Sequence, residues 1–121
     1  MCGTYRAGLG SAAVLPQVAQ AVKGKAQVWV DGGFMRGTDV VKAIALGANA
    51  VGIGRLCGLG LAAAGVPGLV RTLELIEEEV RICLGLLGVR SYKELGPAYL
   101  ADAAPANLPY TFSAFPHLTQ P

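Results

Sequence analysis

Charge is scarce in this chain. Only 15% of its 121 residues are Asp, Glu, Lys or Arg, against roughly 25% in a typical domain. That shortage excludes a disordered or solvating polypeptide, which needs charge and few apolar side chains. Histidine occurs once, as His117, and cysteine three times, as Cys2, Cys57 and Cys83, with no C-x-x-C pair. The spacing argues against a structural zinc site, and the Leu, Gly, Ile and Val around Cys57 and Cys83 predict reduced, buried thiols in a cytoplasmic protein. The ten Lys and Arg residues stand singly rather than in runs. The basic stripe that marks a nucleic-acid binder is therefore missing.

A spanning apolar segment is expected to be missing too. Mean hydropathy is +0.48, but Arg55 interrupts the apolar stretch 43–70. Neither side of it supplies the ~20 residues a membrane helix needs. The first nine residues lack the charged-then-apolar order of a secretory signal.

What is abundant is hydrophobic surface, at 53% of the residues. A chain this short cannot bury so much by itself, so a partner or the rest of the same domain is expected to cover the excess. The expected assembly is a homo-oligomer or a pairing with a complementary portion of the fold.

Periodicity supplies the elements. Val14, Leu15, Val18, Ala19 and Val22 predict a helix over 11–22, with Pro16 tolerable only in its first turn. The run Gln27 to Val30, ending at Asp31, reads as a buried strand that puts Trp29 in the core. A glycine-rich loop, Gly32 to Gly37, leads to a helix N-capped by Thr38 and ending at Gly47. Ala50 to Ile53 reads as a second buried strand, followed by a loop over Gly54 to Gly58. Pro67 opens a long helix whose stripe is Leu69, Leu73, Ile76, Val80, Cys83, Leu84 and Leu87. Glu77, Glu78 and Glu79 read as its solvated face, with Glu77 supporting Arg81. The alternation of helices and strands defines an α/β protein with parallel strands. The tail 97–121 is proline-rich and expected to be extended, anchored by Tyr99, Tyr110, Phe112 and Phe115.

In a right-handed β-α-β unit the loops after both strands emerge at one carboxyl end and face one ligand. Gly32 and Gly33 allow backbone amides to approach an anion, and Arg55 adds forked donors suited to a phosphate. Phosphate binding after the last strands of a (β/α)8 barrel is a recurring use of that face.

The segment from Val30 to Leu56, VDGGFMRGTDVVKAIALGANAVGIGRL, resembles the C-terminal signature of the FMN-dependent α-hydroxy-acid dehydrogenase/oxidase family. Glycolate oxidase, L-lactate dehydrogenase and mandelate dehydrogenase belong to that family. The likeness continues into LLGVRSYKEL, Leu86 to Leu95. It implies the C-terminal portion of a (β/α)8 TIM barrel, its last two β-α units, incomplete as a barrel. Residues 1–96 would be that partial barrel domain and 97–121 the tail. The implied activity is oxidation of a 2-hydroxy acid to a 2-oxo acid, with FMN as cofactor.

Carried over by position, Asp31, Gly32, Gly33, Gly54 and Arg55 would hold FMN, with Asp31 orienting the loop backbone or the ribityl chain. The family's arginine two residues after the second glycine is replaced by Met35. Arg36 is the neighbouring candidate for that role, and Arg55 with backbone amides is the alternative. The family's catalytic histidine belongs to a Ser-Asn-His-Gly-like stretch before this region. The corresponding residues here read MCGTYRAGLGSAAVLP, without histidine. No positioned partner marks His117 as a base, so the expected chain is a fragment that is inactive alone. Two alternatives remain: another phosphate-binding barrel, similar to inosine-monophosphate dehydrogenase or type 2 isopentenyl-diphosphate isomerase, and a non-catalytic ligand-binding or assembly module.

Overall fold

The computed structural model describes residues 10–102. Cys2, Arg6, Tyr110, Phe112, Phe115 and His117 lie outside the described residues. The order is α1 (Ser11–Val22), β1 (Trp29–Asp31), α2 (Gly37–Ala45), β2 (Ala50–Gly52), α3 (Gly54–Leu87) and two short 3-10 turns, Tyr92–Glu94 and Pro97–Tyr99. The second of these turns replaces extended chain at the start of the tail.

β1 and β2 are parallel, with Trp29 opposite Ala50, Val30 opposite Val51 and Asp31 opposite Gly52. Asn49 extends this pairing backwards. Its Oδ1 accepts from the Val28 amide at 2.7 Å, while its own amide donates to the Val28 carbonyl at 2.7 Å. That reciprocal pair pins the register before the strands begin.

Successive strand residues point to opposite faces. Val28 and Val30 turn toward the helices and join Leu15, Phe34, Ala43 and Ala48 in the core. Trp29 and Asp31 face the other way. Trp29 is 74% exposed, its indole Nε1 donating to Gln27 Oε1 at 3.2 Å, so the expected core position is corrected. The sheet is buried on one face only, because no described element lies over the other.

α1 has the predicted bounds, and Leu15 is its buried residue. Pro16 sits beyond the first turn, on an exposed face, where it forfeits one backbone hydrogen bond. α2 begins at Gly37, so Thr38 lies inside it. The amides before it are held by Asp39 instead, whose Oδ2 accepts from Arg36 at 3.1 Å and Met35 at 3.3 Å.

α3 starts earlier than predicted and takes in the supposed loop after β2. It is bent at Ala64 and Gly65, both non-helical. A β-carbon on Gly60 would collide with Thr72 Oγ1, and one on Gly68 with the Gly60 carbonyl. The two arms therefore fold back on each other at glycine contacts. By length and composition α3 is apolar enough to cross a membrane, contrary to expectation. The bend, however, separates an apolar first arm of about three turns from a second arm carrying Arg71, Glu74, Glu77, Glu78, Glu79 and Arg81.

The second arm packs on α2. Val80 is buried in its predicted stripe, but Leu73 is 47% exposed, as are Leu59, Val66, Ile82 and Leu86 to similar or greater degrees. This large apolar surplus matches the composition. Cys57 and Cys83 are free thiols, half-buried rather than buried.

Candidate functional site

Asp31 and Gly52 end the two strands as a facing pair. Adjacent strands lie about 5 Å apart, so both chains leave the sheet side by side at its carboxyl end. From there one runs into Gly32 and Gly33, the other through Ile53 into the first turn of α3, which begins with Gly54 and Arg55.

The Asp31 carboxylate stays at this junction. Its Oδ1 accepts from the Gly32 amide at 2.7 Å, and its side chain lies within 2.9–3.2 Å of where a Gly52 β-carbon would sit. It holds the backbone at the start of the loop. Gly32 and Gly33 have φ of 126° and 87°, left-handed backbone that strains any residue bearing a β-carbon. A β-carbon on Gly32 would also crowd Ser11 Oγ at 2.8 Å.

The two helix N-termini at this end differ. That of α2 is occupied by the protein's own anions. Glu79, from α3, accepts from the Gly37 amide at 2.7 Å and from Arg36 Nε at 3.1 Å through Oε2. Its Oε1 pairs with Arg36 Nη2 at 2.8 Å. The Gly37 amide, opposed by desolvation and aided by the Arg36 guanidinium, holds the Glu79 carboxyl below its ordinary range. The N-terminus of α3 has no side-chain cap and no acidic residue in its first turn, and it carries exposed Arg55. The first turn of a helix presents unpaired amides and the positive end of the dipole, the usual seat of a phosphate.

Asp31, Gly32, Gly33, Gly54 and Arg55 thus gather at one edge, while Arg36, the sixth candidate, is turned to Glu79. Sequence reading missed Glu79 because its partners lie 42 and 43 residues earlier. The only local hint is its place on the packed stripe, three residues after Ile76. Among the described residues no cluster of metal-ligating side chains occurs.

This arrangement is a parallel β-α-β unit whose second strand leads into a short helical arm before a longer one, with its glycine loop and an uncapped helix start at one end. The profile of the FMN-dependent dehydrogenase family matches residues 5–102, and the chain belongs to that family. It is 48% identical over 80 residues to human (Homo sapiens) 2-hydroxyacid oxidase 1, covering 66% of this chain and 22% of that protein. Identity with L-lactate dehydrogenase of Caulobacter vibrioides is 42% over 97 residues, covering 80% and 25%. Among solved structures, mandelate oxidase with benzoyl-formic acid superposes with a TM-score of 0.70 at 41% identity, covering 76% of this chain and 30% of that one. The chain spans about a quarter of the length of the curated relatives it matches. FMN is the cofactor of this family of enzymes, in agreement with the resemblance of the central motif.

Proposed function

We propose that this chain forms the FMN-phosphate-binding end of an enzyme that oxidises a 2-hydroxy acid to a 2-oxo acid, as the last two β-α units of a (β/α)8 barrel. The observation that carries it is the parallel register of Asp31 with Gly52, which starts a diglycine loop and an uncapped, arginine-bearing helix from neighbouring positions. The residues present fit the group: Gly32 and Gly33 let the backbone close on the phosphate, the amides of the first turn of α3 donate to it, and Arg55 neutralises it. Asp31 holds the loop in shape from behind rather than touching the anion, which it would repel. When bound, FMN supplies the two-electron acceptor for the alcohol-to-ketone conversion.

No histidine stands in the stretch that would correspond to the family's base, and His117 is the only one in the chain. We therefore expect the 121 residues alone to bind flavin phosphate without turnover. The exposed face carrying Trp29 and the apolar flanks of α3 support a need for a complementary barrel portion or a second copy. The free thiols of Cys57 and Cys83 are in keeping with a cytoplasmic setting.

Two measurements test the reading. Titration with FMN and with riboflavin should show a preference for the phosphorylated form. Bleaching of FMN by lactate, glycolate or mandelate should not occur with this chain alone. Equal affinity for both flavins would reject the phosphate site, and turnover would reject the inactivity.

A further inference from the structure

Glu79 is the one acidic residue of the second arm of α3 that does not face solvent with its neighbours. Glu77 is paired to Arg81 at 2.7 Å on an exposed surface. Glu79, by contrast, reaches across to α2 and makes three polar contacts there, with Arg36 Nε, Arg36 Nη2 and the Gly37 amide. Gly37 makes this approach possible: a β-carbon on it would lie 2.5 Å from Glu79 Cβ and 2.6 Å from the Val80 amide nitrogen. Backbone and side chain are locked together at this crossing.

The consequence for the site is topological. The loop from Asp31 to Gly37 is anchored at both ends by carboxylates. At its start Asp31 holds the Gly32 amide. At its end Asp39 holds the Met35 and Arg36 amides, and Glu79 holds that of Gly37. Only Glu79 comes from outside the loop and its helix. Its hydrogen bonds tie the end of this loop to the element whose other arm begins with Gly54 and Arg55.

We infer that Glu79 is a positioning residue for the flavin phosphate: its carboxylate closes the N-terminus of α2 and fastens the diglycine loop to α3, so that the two halves of the cradle keep one spacing. This rests on the phosphate reading above. A loop anchored from α3 needs no reordering when the anion arrives, and binding gains by that preorganisation. The same contact explains why Arg36 does not replace the arginine missing at Met35: its guanidinium is committed to the fastening.

The rival interpretation is that Glu79 competes with the phosphate for the amides of α2. The two differ in sign. The experiment measures affinities for FMN and riboflavin in the full 121-residue chain and in Glu79→Gln and Glu79→Ala, at a temperature where circular dichroism shows each folded. Their ratio isolates the phosphate contribution, and a general loss of stability would lower both affinities alike. Loss of a charge-assisted anchor predicts a fall in the FMN-to-riboflavin ratio of about tenfold in Glu79→Ala. Glu79→Gln should fall less, because an amide oxygen can still accept from Gly37. A ratio unchanged or raised in Glu79→Ala overturns the inference while leaving the phosphate site standing. A wild-type chain without preference for FMN overturns both. Should Glu79→Ala fail to fold, the comparison of wild type with Glu79→Gln decides by the same ratio.

Discussion

The carboxylate of Asp31 occupies the space that a side chain on Gly52 would need. The two residues are partners across the parallel ladder, and a β-carbon on Gly52 would stand 2.9 Å from both Cβ and Cγ of Asp31. The junction from which both halves of the cradle depart is therefore shaped by a large residue over an absent one. Gly52→Ala should push Asp31 off the Gly32 amide. The expected cost is about 1–3 kcal/mol of stability, as for other overpacked sites, with a weakened flavin preference. Urea unfolding followed by circular dichroism checks the first and flavin titration the second. A variant as stable as wild type with unaltered binding would show that the contact shapes nothing.

On the proposed reading, Arg55 meets the flavin phosphate. Arg55→Ala should lower affinity for FMN about ten- to hundredfold, the worth of a charge-assisted hydrogen bond, and leave riboflavin nearly unaffected. Arg55→Lys should recover only part, since an ammonium keeps the charge but not the planar fork. Equal losses for both flavins would place Arg55 in the fold rather than on the phosphate.

Most of this architecture was legible in the sequence, for identifiable reasons. The bounds of α1 follow from the spacing of Val14, Leu15, Val18 and Val22, and both strands from short apolar runs between glycines. The chain's family was legible in the unbroken motif from Val30 to Leu56. What escaped was whatever depends on distant packing. Trp29 looks like core because it is apolar and aromatic, but strand alternation sends it to the face opposite Val30. Pro67 looks like a helix start because proline is welcome there, and it does follow a break. The preceding arm is nevertheless helical, because nothing between Gly54 and Ala63 forbids it. Glu79 looks solvated because it follows two other glutamates, whereas the helical turn puts it beside Ile76 and Val80.

The lowered pKa of Glu79 has a consequence for stability. A carboxyl whose folded value is lowered binds protons more readily when unfolded, so stability from it is fully present above its ordinary value of 4.5. It is lost as pH falls below that value and through the lowered one. Arg36 and Asp39 lie at the same helix terminus and are common to both proteins compared. Comparing wild type with Glu79→Gln removes that shared background. The melting temperature of wild type should drop more steeply than that of Glu79→Gln between about pH 5 and pH 3. Parallel curves would mean that the Gly37 amide holds both protonation states of residue 79 equally.

Leu15 is 2% exposed and touches the core on which both strands rest. Its side chain comes from α1, whereas Val28 comes from just before β1, Val30 from β1, Phe34 from the loop and Ala43 from α2. Removing it would leave a void that small neighbours such as Ala43 and Ala48 cannot fill by shifting a rotamer. Leu15→Ala should therefore cost about 2–5 kcal/mol, toward the upper part of the range for leucine truncations. The exposed Leu86, at 84%, is the matched control. Leu86→Ala should change the isolated chain's stability by less than about 0.5 kcal/mol, unless that face is covered in an assembly. In that case the loss should appear only at concentrations where sedimentation detects the larger species, and it should vanish on dilution. A large, concentration-independent cost at residue 86 would contradict the exposed position of this leucine.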